Sequence, residues 1–277
     1  MFANEEKRVI VDRSLPWWLR ATFFFIAIQA FDFALILFRP DLITSLEPWK
    51  ATPLNAHFIA SLYLSTGIAV FLCGLGRNYL QVRIILIGIG VATFVLLLLT
   101  LYRLFSYPGE LPSIPVIWLV IYIIDPLLVA FGLWYMRTTK LPEPREKNML
   151  SSRWAVQTVL FGAVGLLMML LPGVAVRLWP WGLTEALAQL YGAFFLAIAV
   201  VTGLSIGEWR WEGVRASAVM LMSLGILVVL ISLLHLDRFK SPVATLVWFV
   251  FFTAEALIFG GLLLVRQMRP AVKEARS

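Results

Sequence analysis

Residues 15–137 and 150–267 carry one pattern twice: four apolar runs in the same order, with the same breaks between them. Moved by 132 positions, Pro40, Pro48, Trp49, Thr52 and Arg83 fall on Pro172, Pro180, Trp181, Thr184 and Arg215. Leu46, Ala56, Leu64, Leu72 and Val82 also meet identical residues. Leucine matches arise easily in apolar sequence; matches at proline, tryptophan and arginine do not. After a two-residue gap the offset becomes 130, where Pro112, Trp118 and Val120 meet Pro242, Trp248 and Val250, and Asp125 meets Glu255. An internal repeat constrains architecture ahead of any single helix, because whatever one half builds the other builds again.

The runs are about 20 residues or longer, enough to cross ~30 Å of hydrocarbon as helix. The chain is 61% hydrophobic and 14% charged, whereas soluble domains are roughly half apolar and a quarter charged. The expected fold is an all-α integral membrane protein whose eight transmembrane helices form two tandem, parallel four-helix repeats. Spans are predicted at 17–38, 55–76, 82–104, 114–136, 153–176, 184–206, 214–236 and 243–266. The expected division is an N-terminal segment 1–16, a first repeat 17–137, a linker 138–152, a second repeat 153–267 and a tail 268–277. The polar, charged start has no small-residue cleavage site after a short apolar core, so no removable signal peptide is expected. The single cysteine, Cys73, excludes an intrachain disulfide. It aligns with Ser205 and reads as a small helix-packing residue.

Basic residues then set the direction. With alternating spans, seventeen Lys and Arg fall on the side that holds both termini and the linker, and six on the other. The positive-inside rule makes the first side cytoplasmic, for a multi-pass protein of the inner (plasma) membrane. Four spans per half is an even number, so both halves enter the membrane in the same orientation. The net charge of +7 is thus read as topology. No Lys/Arg-rich run interleaved with aromatics supports a nucleic-acid partner. The expected partners are membrane lipid and either other membrane subunits or a second copy of the chain.

Each half also repeats a loop motif between its first two spans. Pro48 and Pro180 stop a helix. Trp49 and Trp181 suit the headgroup level of the outer interface, and Thr52 and Thr184 can cap the next helix.

Polar residues inside the spans are the candidate site. Asp32, Asp125 and Glu255 are acids at membrane depth, where a carboxylate must be paired, hydrated or protonated. His57 and its counterpart Gln189 open the second span of each half; Arg103 and its counterpart His235 close the third. Gln29, Tyr63, Ser65, Thr66, Tyr122 and Tyr191 lie nearby, so a polar cavity open to the outside and floored by Asp125 and Glu255 is a plausible arrangement. His57 and His235 occupy non-equivalent positions at the ends of helices, which argues against haem or pigment ligation, and no motif implies a cofactor or a metal. No HExxH, GxSxG or Walker loop is present, and nothing points to an enzyme. Spans 3, 5 and 7 offer few polar groups for a hydrated path. The leading reading is a non-enzymatic accessory subunit or a binder of an apolar ligand. The alternative is a proton-coupled small-solute transporter using the intramembrane carboxylates.

Overall fold

A computed structural model describes residues 14–39, 51–106, 116–139 and 151–268. Pro48, Trp49 and residues 140–150 of the linker lie outside the described residues. The helices are α1 (Trp17–Leu37), α2 (Pro53–Gly74), α3 (Arg83–Ser106), α4 (Val116–Met136), α5 (Ser151–Leu170), the short α6 (Pro172–Leu178), α7 (Glu185–Ile206), α8 (Trp211–Leu234) and α9 (Pro242–Met268). All except α6 are long and apolar enough to cross a membrane. Among the described residues there is no strand, only an isolated bridge between Ser14 and Asn78.

Local chemistry explains the boundaries. Thr52 Oγ1 accepts a hydrogen bond from Asn55 N at the start of α2, and Pro53 follows at the first helical position, where its missing N–H does no harm. Thr184 Oγ1 caps α7 by accepting from Leu187 N, and Glu185 in the first turn complements the helix dipole. One boundary departs from the pattern of apolar residues. The run 153–176 reads as a single span, but the helix ends at Leu170 and Pro172 begins a separate one. Proline can continue no preceding helix without losing a hydrogen bond and meeting the carbonyl four residues back. Pro126 is tolerated inside α4, which runs unbroken from Val116 to Met136.

Six helix pairs make the bundle. α1 packs on α2, and α5 on α7; α3 packs on α4, and α8 on α9; across the halves α2 packs on α8, and α3 on α7. Exchanging the halves turns this set of pairs into itself. α7 and α2 are the most buried of the eight long helices, while α4, α5 and α9 are the least and carry exposed Leu127, Phe131, Val159, Leu170 and Leu246. Such surfaces suit lipid. Glycines set the closest approaches, as expected where helices associate in a membrane. A Cβ on Gly88 would run into Val201 of α7, and one on Gly225 would lie 2.6 Å from the Phe252 carbonyl oxygen of α9.

With the chain passing back and forth, the ends of α1, α3, α5 and α8 share one side, here the distal side. The ends of α2, α4, α7 and α9 share the terminal side. On the terminal side Glu208 is buried between two arginines, accepting from Arg83 Nη2 at 2.9 Å and from Arg210 Nε at 2.8 Å. Burial alone raises its pKa, but the hydrogen bonds from Arg210 and Arg83 outweigh that and hold the carboxyl below its ordinary range.

Candidate functional site

At the distal side the structure brings together residues that the sequence had kept apart. His57 in the first turns of α2 and His235 just after α8 face one another, with Nδ1 and Nε2 2.9 Å apart. The packing of α2 on α8 brings these two non-equivalent helix ends together. One imidazole donates and the other accepts, so at least one ring is neutral, while His57 Nε2 is buried without a partner among the described residues. Burial lowers the pKa of His235, with Asp237 opposing and Arg238 adding to the effect. The rings would have to part to hold a metal ion in line between them, since two bonds of ~2 Å need ~4 Å. Across the bundle Arg103 Nη2 donates to Gln189 Oε1 at 3.2 Å. Gln189 is 132 positions from His57, and His235 is 132 from Arg103. The same contact between halves is therefore made twice with different chemistry.

Beneath this level lies a residue that the repeat pattern did not single out. Asn55 is buried, and its Oδ1 accepts from Trp181 Nε1 at 2.7 Å and from Tyr191 OH at 2.9 Å. Its Nδ2 donates to the Gly182 carbonyl and to Thr52 Oγ1, both at 3.0 Å. Every polar capacity of the side chain is used, and α2 is tied to the loop before α7. Asn55 escaped notice because its counterpart is Leu187 and because an asparagine near a helix start reads as a cap. Trp181 of the repeated loop motif is 1% exposed and packed against protein. It packs edge-to-face on Phe58, Trp179 and Trp248, with ring centroids 4.8–5.5 Å apart.

That aromatic cluster forms one wall of a groove of about 380 Å³ between α5, α6 and α9, floored by Phe195 of α7. Phe161, Trp179, Trp248, Phe251 and Phe252 line it, and every other lining side chain is apolar. Trp248 Nε1 is occupied by Ser232 Oγ at 2.9 Å. Trp179 Nε1 is buried and has no hydrogen-bond partner among the described residues.

The acids occupy a third level. Asp125 in α4 and Glu255 in α9 are each 3% exposed. Each stands beside a glutamine from the first helix of its own half, Gln29 in α1 and Gln157 in α5. Asp125 Oδ1 and Gln29 Nε2, and likewise Glu255 Oε2 and Gln157 Oε1, have no partner within hydrogen-bond distance among the described residues. Asp125 lines a cavity of about 60 Å³ together with Gln29, Tyr63, Thr66 and Tyr122, and the two phenol hydroxyls are 2.9 Å apart. Glu255 is not part of that lining. The cavity beside Asp125 thus does not take in Glu255, and each acid stands beside the first helix of its own half. Asp32 differs from both and lies on the exposed face of α1.

Comparison with protein-family models, with curated proteins and with solved structures finds no match. The class rests on the fold alone, a polytopic all-α membrane protein. Among the described residues no three His, Cys, Asp or Glu side chains are placed to share a metal ion.

Proposed function

We propose that this protein is a non-enzymatic binder of a lipid-soluble ligand, held in the groove between α5, α6 and α9. The groove carries the reading. Its volume of about 380 Å³ falls within the range of small-molecule sites, roughly 300–1,000 Å³, which are mostly apolar with few polar groups. The flanking α5 and α9 are among the least buried helices, so a ligand dissolved in the bilayer reaches it sideways. The aromatic lining favours a flat, apolar ligand such as a quinone. The frame is two tandem parallel repeats, supported by the exchange-invariant helix pairing and the twofold distal contact. Cytoplasmic termini and an inner-membrane location follow from the basic asymmetry. The test is titration of the purified chain with decylubiquinone, read as tryptophan quenching. Saturable quenching is expected in the parent and is lost in Ala244→Phe, which fills the groove. Equal quenching in both rejects the reading.

A second reading, membership in a larger membrane assembly, is favoured by Asp32. A lipid-facing carboxylate has neither water nor a partner, and a neighbouring subunit that offers a donor at that depth would supply one. Site-specific cross-linking from Asp32→Cys in native membranes tests it; labelling by lipid probes alone, with no protein adduct, rejects it. Proton-coupled transport through Asp125 and Glu255 has weaker support, because the two acids stand beside different helices and Glu255 is not in the lining of the cavity that holds Asp125.

A further inference from the structure

The carboxyl of Asp125 is almost wholly buried, lines a cavity and keeps one oxygen, Oδ1, without a hydrogen-bond partner. The other polar groups that line the cavity are neutral: the Gln29 amide, the hydroxyls of Thr66 and Thr93, and the paired phenols of Tyr63 and Tyr122. Thr93 Oγ1 is already spent on the Ile89 carbonyl at 2.8 Å. No Lys, Arg or His lines the space. An ionised carboxylate at membrane depth is stable only with a counter-charge, and none is built in. The remainder of the wall is aromatic or aliphatic, with Phe33 and Phe194 joining the two tyrosines. Aromatic faces attract cations, and phenol oxygens accept N–H donors. A volume of about 60 Å³ has space for a few water-sized groups, each needing roughly 10–15 Å³.

We propose that the cavity beside Asp125 binds a small monovalent cation bearing N–H donors, ammonium or methylammonium, which pairs with the carboxylate against the aromatic wall. An alkali ion suits it less, because such ions exchange their water shell for several convergent oxygens and here nearly all of the exposed wall is carbon. The second half supplies a natural control. At the positions of Tyr63 and Tyr122 it has Phe195 and Phe252, and its acid, Glu255, lines no part of the cavity. This site is separate from the groove and does not depend on it.

The experiment is equilibrium binding of radiolabelled methylammonium to the full chain in nanodiscs at neutral pH. Saturable binding is expected, displaced by ammonium and not by an equal concentration of sodium. Asp125→Asn, nearly identical in shape, is expected to weaken binding by about thirtyfold or more, as loss of one member of a buried charge pair does. Tyr122→Phe weakens it by about three- to tenfold through one lost hydrogen bond. Glu255→Gln leaves it unchanged. If Asp125→Asn fails to assemble, Tyr122→Phe and Glu255→Gln carry the comparison. The proposal is overturned by absence of saturable binding in the parent, which would mean that a proton neutralises Asp125. Displacement by sodium as readily as by ammonium, or equal loss in Glu255→Gln, also overturns it. Failure of the decylubiquinone titration leaves this result untouched.

Discussion

Between α1, α2 and α4 the first half places Phe33, Tyr63, Tyr122 and Asp125; between α5, α7 and α9 the second half places Phe161, Phe195, Phe252 and Glu255. Phe33 packs on Tyr63 with ring centroids 5.5 Å apart, and Phe161 packs on Phe195 at 5.6 Å. The packing is kept while two hydroxyls are gained or lost. One half holds a small cavity with an acid and two phenols in its lining, and the other a wider groove with no charged residue in its lining. The halves also trade residues on the terminal side. Gln81 Oε1 accepts from Arg77 N, and its partner position across the turn is Gly76. In the second half the glycine has moved: Gly213 stands where Gln81 would, and Glu208 stands where Gly76 would, accepting from Arg210 N. A Cβ on Gly213 would come within 2.7 Å of Glu208 Cγ. One side chain fills each turn, supplied from opposite members of the pair. Duplicated frames therefore tolerate exchange of polarity wherever one member of a contact gives way as the other grows.

The largest expected effect breaks that comparison at Glu208. Glu208→Ala leaves Arg83 and Arg210 facing a buried gap, and loss of one partner from a buried ion cluster costs about 3–5 kcal/mol. Gln81→Ala, on the exposed counterpart, costs about 1 kcal/mol or less. Thermal unfolding of both variants in detergent measures the gap; equal shifts would show the two turns to be interchangeable. The cluster also makes stability depend on pH. The folded carboxyl titrates below its ordinary value, so its contribution is fully present above that ordinary value and is lost as pH falls through the depressed one. Glu208→Gln is expected to flatten the acid limb of the unfolding profile.

Asn55 comes next. Asn55→Leu installs the residue that the other half carries at Leu187; it orphans the Trp181 N–H and leaves the Tyr191 O–H only its longer bond, 3.3 Å, to the backbone carbonyl of residue 55. Each unsatisfied buried donor costs about 1–3 kcal/mol. The reverse change, Leu187→Asn, brings in a polar group with no partner built for it and is expected to destabilise as well. A neutral Asn55→Leu, measured by thermal unfolding and by protease sensitivity of the 179–184 loop, would show that the aromatic packing alone holds Trp181.

A smaller effect tests glycine packing. Thr93 in α3 and Gly225 in α8 are 132 positions apart. Thr93 fits its place and bonds its own helix, whereas Gly225 touches the backbone of α9. Gly225→Thr is expected to cost about 1–3 kcal/mol by overpacking. Thr93→Gly costs roughly a few tenths of a kcal/mol through helix propensity. If the two costs proved equal, the closer α8–α9 approach would not be what separates the halves.

What sequence could reach follows from which interactions are periodic. The eight apolar helices are legible because span length and hydropathy are properties of single runs. Pro172 was visible, but apolar residues on both sides of it hid the break at Leu171. The halves' contacts were not legible: an alignment pairs His57 with Gln189 and Arg103 with His235, whereas the fold pairs His57 with His235 and Arg103 with Gln189. Alignment shows which residues are equivalent; only the crossing of α2 on α8 and α3 on α7 shows which ones touch. The contact between Asn55 and Trp181 was not legible for a related reason. Their partners are far away in sequence, so each looked like an ordinary cap or interfacial residue.

The smallest effect on stability belongs to the distal pair, and it sharpens the comparison most directly. The double substitution His57→Gln with His235→Arg rewrites the α2–α8 contact as the Gln189–Arg103 contact already present between α7 and α3. If the halves are equivalent frames, the double variant unfolds within about 0.5 kcal/mol of the parent at neutral pH, as two compatible polar pairs should exchange with little cost. Each single change leaves a mismatched pair and is expected to cost more than the double. Acid then separates the variants. Burial holds the folded pKa of His235 below its ordinary value of 6.5. Between those two values the unfolded chain binds more protons, so stability falls as pH drops below about 6.5. A second proton on the pair also removes the acceptor that the hydrogen bond requires. The Gln–Arg version has no group that titrates there, so its unfolding temperature is expected to stay flat across the interval in which the parent declines. The same decline in the parent and the double variant would place the acid sensitivity elsewhere and remove the distal histidines from any account of it.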